Sequence, residues 1–143
     1  MSKPNIEIEL VHTSFGRIGD EMVRRIDQVC ETYANLVLSN ARLAIMNPPK
    51  TGRIYKRGNR VHQASAPYEA PATDLGWLAT ASAVAEDDIA NYAVIFFARY
   101  AKALEYGFQP RNLKPRPFLK PATFKYEELF HRAVEQAIRE ASQ

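Results

Sequence analysis

Near the start of the chain Ile6, Ile8 and Leu10 alternate with Asn5, Glu7 and Glu9, the period-two pattern of a strand with one buried face. From Asp20, a suitable N-cap, the period changes. Val23, Ile26, Cys30, Tyr33, Val37, Ala41 and Ala44 recur three or four residues apart and predict one long amphipathic helix. The helix must end at Asn47-Pro48-Pro49, because proline has no amide hydrogen and disfavours helical geometry in the residue before it. Its roughly 26 residues would span nearly 40 Å at about 1.5 Å each, more than one small domain needs. Part of it is therefore expected to pack on another chain.

Two short runs, Arg53-Ile54-Tyr55-Lys56 and Arg60-Val61-His62-Gln63, flank Gly58-Asn59, a dipeptide that tolerates the positive φ of a hairpin turn. They predict a basic hairpin. The stretch Ala66-Pro67-Tyr68-Glu69-Ala70-Pro71-Ala72 is too rich in proline for regular structure, and Thr73 is placed to cap a short helix through Trp77 and Leu78. Ala83-Val84-Ala85 and Ile89 to Phe97 read as a second hairpin around a polar turn, Glu86-Asp87-Asp88. Its second arm is apolar on both faces around Val94-Ile95-Phe96-Phe97, as in a central strand covered on both sides. Tyr100 to Tyr106 suits a short helix closed by Gly107. After a Pro-rich basic loop, Pro121 stands in the first turn of a last helix striped by Tyr126, Leu129, Phe130, Ala133, Val134, Ala137, Ile138 and Ala141.

These elements make an α+β fold: a small antiparallel sheet packed with one long N-terminal and one C-terminal helix, and an extended basic hairpin arm. With 143 residues the chain has room for a single domain, 1–143. Within it 5–47 holds the first strand and long helix, 48–72 the arm and Pro-rich loop, 73–107 the short helices and sheet, and 108–143 the second Pro-rich loop and last helix.

Composition narrows the function classes. The longest apolar run, Ala93 to Ala98, is far short of the roughly 20 residues that cross a bilayer, so no membrane span is expected. The N-terminal residues lead into alternating Ile and Glu instead of an apolar stretch, so no secretory signal is expected either. A single Cys30 forms no internal disulfide and fits a reducing cytoplasm or simple indifference to redox. The net charge of +3 conceals two acid-free basic tracts, one with Lys50, Arg53, Lys56, Arg57 and Arg60, the other with Arg111, Lys114, Arg116, Lys120 and Lys125. The rest of the chain carries nine basic against sixteen acidic residues, a balance of −7. Three readings stay open: solvated loops, contact with nucleic-acid phosphates, or contact with the acidic face of a neighbouring subunit.

Candidate catalytic groups do not assemble into a known pattern. His12, His62 and His131 fall in separate elements, and Cys30 lies on the apolar stripe of the long helix, where an inert buried thiol is expected. There is no zinc motif, nucleophile elbow, phosphate-cradling glycine loop or dinucleotide fingerprint. Glu86-Asp87-Asp88 has the chemistry to ligate a divalent cation, but three acids in a tight turn also make a plain soluble hairpin tip. No cofactor, metal or enzymatic activity is expected. Tyr55, Tyr68 and Phe108 stand beside basic residues, where they could stack bases or anchor a protein interface. His62 reads as a phosphate donor when protonated or as a plain polar hairpin residue.

One ordered set of motifs goes further. Thr51-Gly52-Arg53-Ile54-Tyr55, His62-Gln63-Ala64-Ser65-Ala66-Pro67, Glu69-Ala70-Pro71-Ala72, Asp74 and Gly76-Trp77-Leu78 are followed by Tyr100-Ala101, Leu104-Glu105-Tyr106-Gly107 and Arg116-Pro117-Phe118-Leu119-Lys120-Pro121-Ala122. In order and spacing this resembles the signature of a bacteriophage family of small structural proteins at the head-tail junction, the neck or tail-completion proteins of long-tailed phages. The likeness covers 51–122. It departs where the family often has Gly in place of Tyr68, Thr in place of Leu75, and a small hydroxyl residue in place of Phe108.

The resemblance implies a non-enzymatic virion protein, assembled in the host cytoplasm into a homo-oligomeric ring, commonly six-fold. Its implied neighbours are tail-terminator and head-closure or connector proteins, with genomic DNA passing through the lumen. The signature would supply structural positions at Gly52, Pro67, Pro71, Asp74, Gly76, Glu105, Gly107, Pro117, Phe118, Leu119 and Pro121. Interface or DNA-facing positions are expected at Arg53, Tyr55, Lys56, Arg57, Arg60, His62, Arg111, Lys114 and Arg116. Pro115 and Pro117 should hold Arg116 where it can pair with a carboxylate such as Glu105, while Phe118 and Leu119 dock on the core. Whether the arm meets a neighbouring protein or the DNA is open, with the protein favoured by the acidic remainder of the chain. The competing class is a free nucleic-acid-binding protein.

Overall fold

A computed structural model describes residues 5–8, 16–47, 50–72 and 76–143, with 5–8, 16–18 and 57 described for their backbone alone. The fold is α+β, with two small antiparallel sheets, a long N-terminal helix and a C-terminal helix. Strand β1 (Asn5–Ile8) forms where the alternation places it, while Glu9, Leu10 and His12 lie outside the described residues. Its partner is β5 (Asn91–Phe96), and β4 (Ser82–Asp88) pairs with the other side of β5, giving the order β1-β5-β4. The register sets Ile6 opposite Val94 and Ile8 opposite Tyr92.

Helix α1 spans Gly16–Met46, so Asp20 sits inside it instead of capping it. Gly16 and Gly19 each disfavour helix by about 1 kcal/mol, yet tertiary packing overrides that preference. Gly19 is already buried, so this turn belongs to the packed face. Ile26, Cys30, Ala34, Val37, Leu38, Ala41 and Ile45 then turn inward along the helix. Cys30 is a free, fully buried thiol, and burial pushes its pKa up to about 11, which keeps it protonated and unreactive.

Helix α4 (Leu119–Ala141) lies along α1 and antiparallel to it. Tyr33 meets Tyr126 and Phe130 edge-on at 6.3 and 5.7 Å, and Arg25 reaches Glu140 at 2.7 Å. Much of the length of α1 is thus used within the chain. Pro121 is the third residue of α4, as its fixed φ and missing amide allow.

Two expectations about the second hairpin are corrected. The acids Glu86, Asp87 and Asp88 end strand β4, and the turn falls at Ile89-Ala90, where Ala90 takes a φ of 58°. Asp27 on α1 fixes that turn from outside, accepting the Ala90 N–H at 2.8 Å and the Tyr92 hydroxyl at 2.9 Å. Strand β5 is central, but only the face with Tyr92, Val94 and Phe96 is buried. Its other face, with Asn91, Ala93 and Ile95, is only half-buried.

Helix α2 is the four residues Trp77–Thr80, entered through Gly76 at φ 76°, with Leu78 and Ala79 buried and Trp77 exposed. The proposed cap Thr73, with Asp74 and Leu75, lies outside the described residues. Helix α3 (Ala101–Tyr106) ends at Gly107 with φ 82°, where an added Cβ would lie 2.9 Å from the Leu113 carbonyl oxygen. A 3-10 turn, Gln109–Arg111, leads back to α4.

Candidate interaction surface

The second sheet is the arm itself, β2 (Ile54–Arg57) paired with β3 (Arg60–Gln63) through Gly58-Asn59, where Gly58 has φ 63°. Directly opposed residues share a face, so Ile54, Lys56, Val61 and Gln63 stand on one side and Tyr55 and His62 on the other. Arg57 is opposite Arg60 in register. Ile54 is 62 % and Val61 65 % exposed, with Lys56 between them in sequence and pairing. The Arg53 guanidinium lies 5.4 Å from the centre of the exposed Tyr55 ring. A two-stranded hairpin with both faces open is marginal alone, so its base has to be held.

The base is held by polar contacts around Gly52. Its amide donates to the Ala64 carbonyl at 2.8 Å, and an added Cβ would meet the Ser65 oxygen at 2.5 Å, so only glycine fits. Glu69 accepts from the Thr51 amide at 2.8 Å and the Thr51 hydroxyl at 2.6 Å. The Thr51 hydroxyl holds its carboxyl below the usual range. Lys50 donates to the carbonyls of Ala44 and Ala70, tying the end of α1 to the Pro-rich loop in which Pro71 is buried. Burial pushes the Lys50 pKa down. Lys50 is therefore a brace of the fold, not part of an outward basic tract.

The two basic tracts meet at this base. Arg116 donates through Nε to the Ser65 carbonyl at 3.3 Å, and Tyr68 donates its amide to the Pro115 carbonyl at 2.7 Å. Lys114 and Arg111 are exposed on the same loop, as is Pro67 beside the arm, while Pro117 is half-buried. Tyr68 has φ 67°, a left-handed conformation uncommon for a residue other than glycine.

Arg116 does not pair with Glu105. The Glu105 carboxylate, only 4 % exposed, accepts the backbone amides of Phe118, Leu119 and Lys120 at 2.8, 3.0 and 2.8 Å. Those are first-turn donors of α4 that have no partner within the helix. An acid at that helix end also faces the favourable pole of the helix dipole, so Glu105 satisfies more there than a guanidinium would. Phe118, 1 % exposed, packs edge-on against Phe96 at 4.9 Å, and Leu119 is buried beside it. The docking role expected of Phe118 and Leu119 therefore holds.

The roles of Asp27, Lys50 and Glu69 were not foreseen. Lys50 and Glu69 were visible as members of a tract and a motif, whereas Asp27 looks like any polar-face residue of an amphipathic helix. Among the described residues no group of three or more His, Cys, Asp or Glu could hold a metal ion. No helix among them is long and apolar enough to cross a membrane. No family model, no curated protein and no solved structure matches the chain.

Proposed function

We propose that the chain is a non-enzymatic subunit of a homo-oligomeric ring at the head-tail junction of a long-tailed phage, with genomic DNA passing through the lumen. The observation that carries this reading is the ordered set of motifs over 51–122, because its members work on one another in the fold. Gly52 closes the arm base against Ala64 and Ser65, Arg116 reaches that same Ser65, and Glu105 caps the helix opened by Phe118-Leu119-Lys120. The exposed apolar residues of the arm add support, since Ile54 and Val61 gain from being covered in an assembly.

In this reading Arg53, Lys56, Arg57 and Arg60 meet protein, and the ring lumen carries no continuous belt of strong phosphate contacts, so that DNA can slide. Adjacent partners are tail-terminator and head-closure or connector proteins. Removing the protein from a phage-producing cell tests the reading: filled heads and tails should accumulate unjoined, and supplying the chain should join them. Infectious particles made in its absence would contradict it. Replacing the four arm cations by Ser should block joining. Particles that assemble normally but retain DNA poorly would instead put the arm in the lumen.

A further inference from the structure

The acids of the chain are not equally available. Along α1 and α4, Glu21 is held by Arg24 and Arg25, Glu128 by Arg132, Glu135 by Arg139 and Glu140 by Arg25. At the β4–β5 end Glu86, Asp87 and Asp88 are exposed, and among the described residues the donors they meet are neutral ones of their own hairpin: the Tyr92 hydroxyl, the Asn91 side-chain amide and the Ile89 backbone amide. Among them stands Ile89, 52 % exposed. The arm has the complementary make-up, with Ile54 and Val61 exposed on one face beside Lys56. An apolar centre inside a charged rim is the ordinary anatomy of a protein interface.

These two surfaces cannot meet within one chain. The acidic turn is fastened to α1 at Asp27, and the arm base is fastened to α1 at Ala44 through Lys50. Seventeen helical residues separate those anchors, about 25 Å at 1.5 Å per residue. The four-residue strands of the arm extend only about 13 Å. The pair can therefore close only between molecules, and repeated head-to-tail, each arm on the next copy, such a contact generates a ring.

We infer that the arm of one copy docks on the β4–β5 turn of the next, with Ile54 and Val61 against Ile89 and Lys56 among Glu86, Asp87 and Asp88. This contact deepens the ring reading and rests on it for its biological setting. Intermolecular paramagnetic broadening tests it on the whole chain. A spin label at Asn59→Cys, on the arm turn and away from the apolar contact, is mixed with unlabelled-thiol, 15N-enriched wild-type protein. At about 1 mM even a contact with a Kd of that order is well populated. The amide signals of Glu86 to Ile89 should broaden, and raising the salt to about 1 M should abolish the effect, as the Debye length falls to about 3 Å. Lys56→Glu in the labelled copy should remove the broadening, and Asp87→Lys in the 15N copy should restore it. Broadening at another surface, or none, would overturn the contact, as would a Lys56→Glu copy that broadens the turn as before. A ring found in virions without this contact would leave the functional reading standing, and the contact in a protein absent from virions would do the reverse.

Discussion

Glu105 Oε2 accepts the backbone amide of Phe118 at 2.8 Å, so a side chain from α3 closes the N-terminal end of α4. The same carboxylate takes the next two amides, which lets the helix begin in the buried interior where water cannot serve those donors. Glu105→Ala should cost about 3 kcal/mol or more, from orphaned donors and loss of the cap. Glu105→Gln should fall between, because one amide oxygen still accepts. Arg116→Ala, which loses only long bonds to carbonyls, should cost about 1 kcal/mol. Denaturant midpoints order the three variants, and an Arg116→Ala loss equal to that of Glu105→Ala would refute the cap.

Phe118 and Phe96, both buried, meet edge-on with ring centres 4.9 Å apart. Phe118→Ala should lower stability by about 3 to 5 kcal/mol, the range for truncating a buried aromatic. A double-mutant cycle with Phe96→Leu should show a coupling of about 0.5 to 1.5 kcal/mol for the edge-on pair. Additive losses would show that the rings do not interact directly. An unchanged melting temperature for Phe118→Ala would make the 115–119 segment a solvated linker.

Much of the architecture was legible in the hydrophobic pattern, and the misses share one cause. The arm, α3 with Gly107, and α4 follow from local signals: a turn dipeptide, a glycine C-cap and a run of apolar residues at helical spacing. Local signals failed where a distant residue decided the outcome. The β4–β5 turn moved to Ile89-Ala90 because Asp27, far away in sequence, binds the Ala90 amide and the Tyr92 hydroxyl. Glu105 was visible as a motif residue, but the donors it serves lie in the next helix. The basic tract counted Lys50 by charge alone, whereas its ammonium is spent on two carbonyls.

Asp27 should therefore matter more than its place on a helix suggests. Asp27→Ala leaves the buried Ala90 amide without its acceptor and the Tyr92 hydroxyl with only the long contact to Glu86, and should cost about 2 to 4 kcal/mol. Asp27→Asn keeps an acceptor oxygen and should cost less. Hydrogen exchange at the Ala90 amide should rise first, ahead of the core of α1. Protection unchanged in Asp27→Ala would show that the turn holds itself.

Acid should loosen the arm before it unfolds the domain. The Glu69 carboxyl is held below its usual range chiefly by the Thr51 hydroxyl, so its bond to the arm base is fully present above the ordinary carboxylate value. The contribution is lost as pH falls through the lowered folded value. Exchange at the Thr51 and Gly52 amides, corrected for intrinsic rates, should accelerate over that acidic window in wild type. In Glu69→Gln the acceleration should disappear. A wild-type profile flat across the window would remove Glu69 from the arm base.

The most direct measurement is the location and copy number of the chain in purified phage particles, by quantitative mass spectrometry together with cryo-electron microscopy of the head-tail junction. The expected result is one closed ring per virion, with subunit density between head and tail and the arm of each copy against the β4–β5 turn of its neighbour. A chain absent from virions, monomeric in solution and binding duplex DNA tightly would contradict the ring and establish the free nucleic-acid-binding alternative.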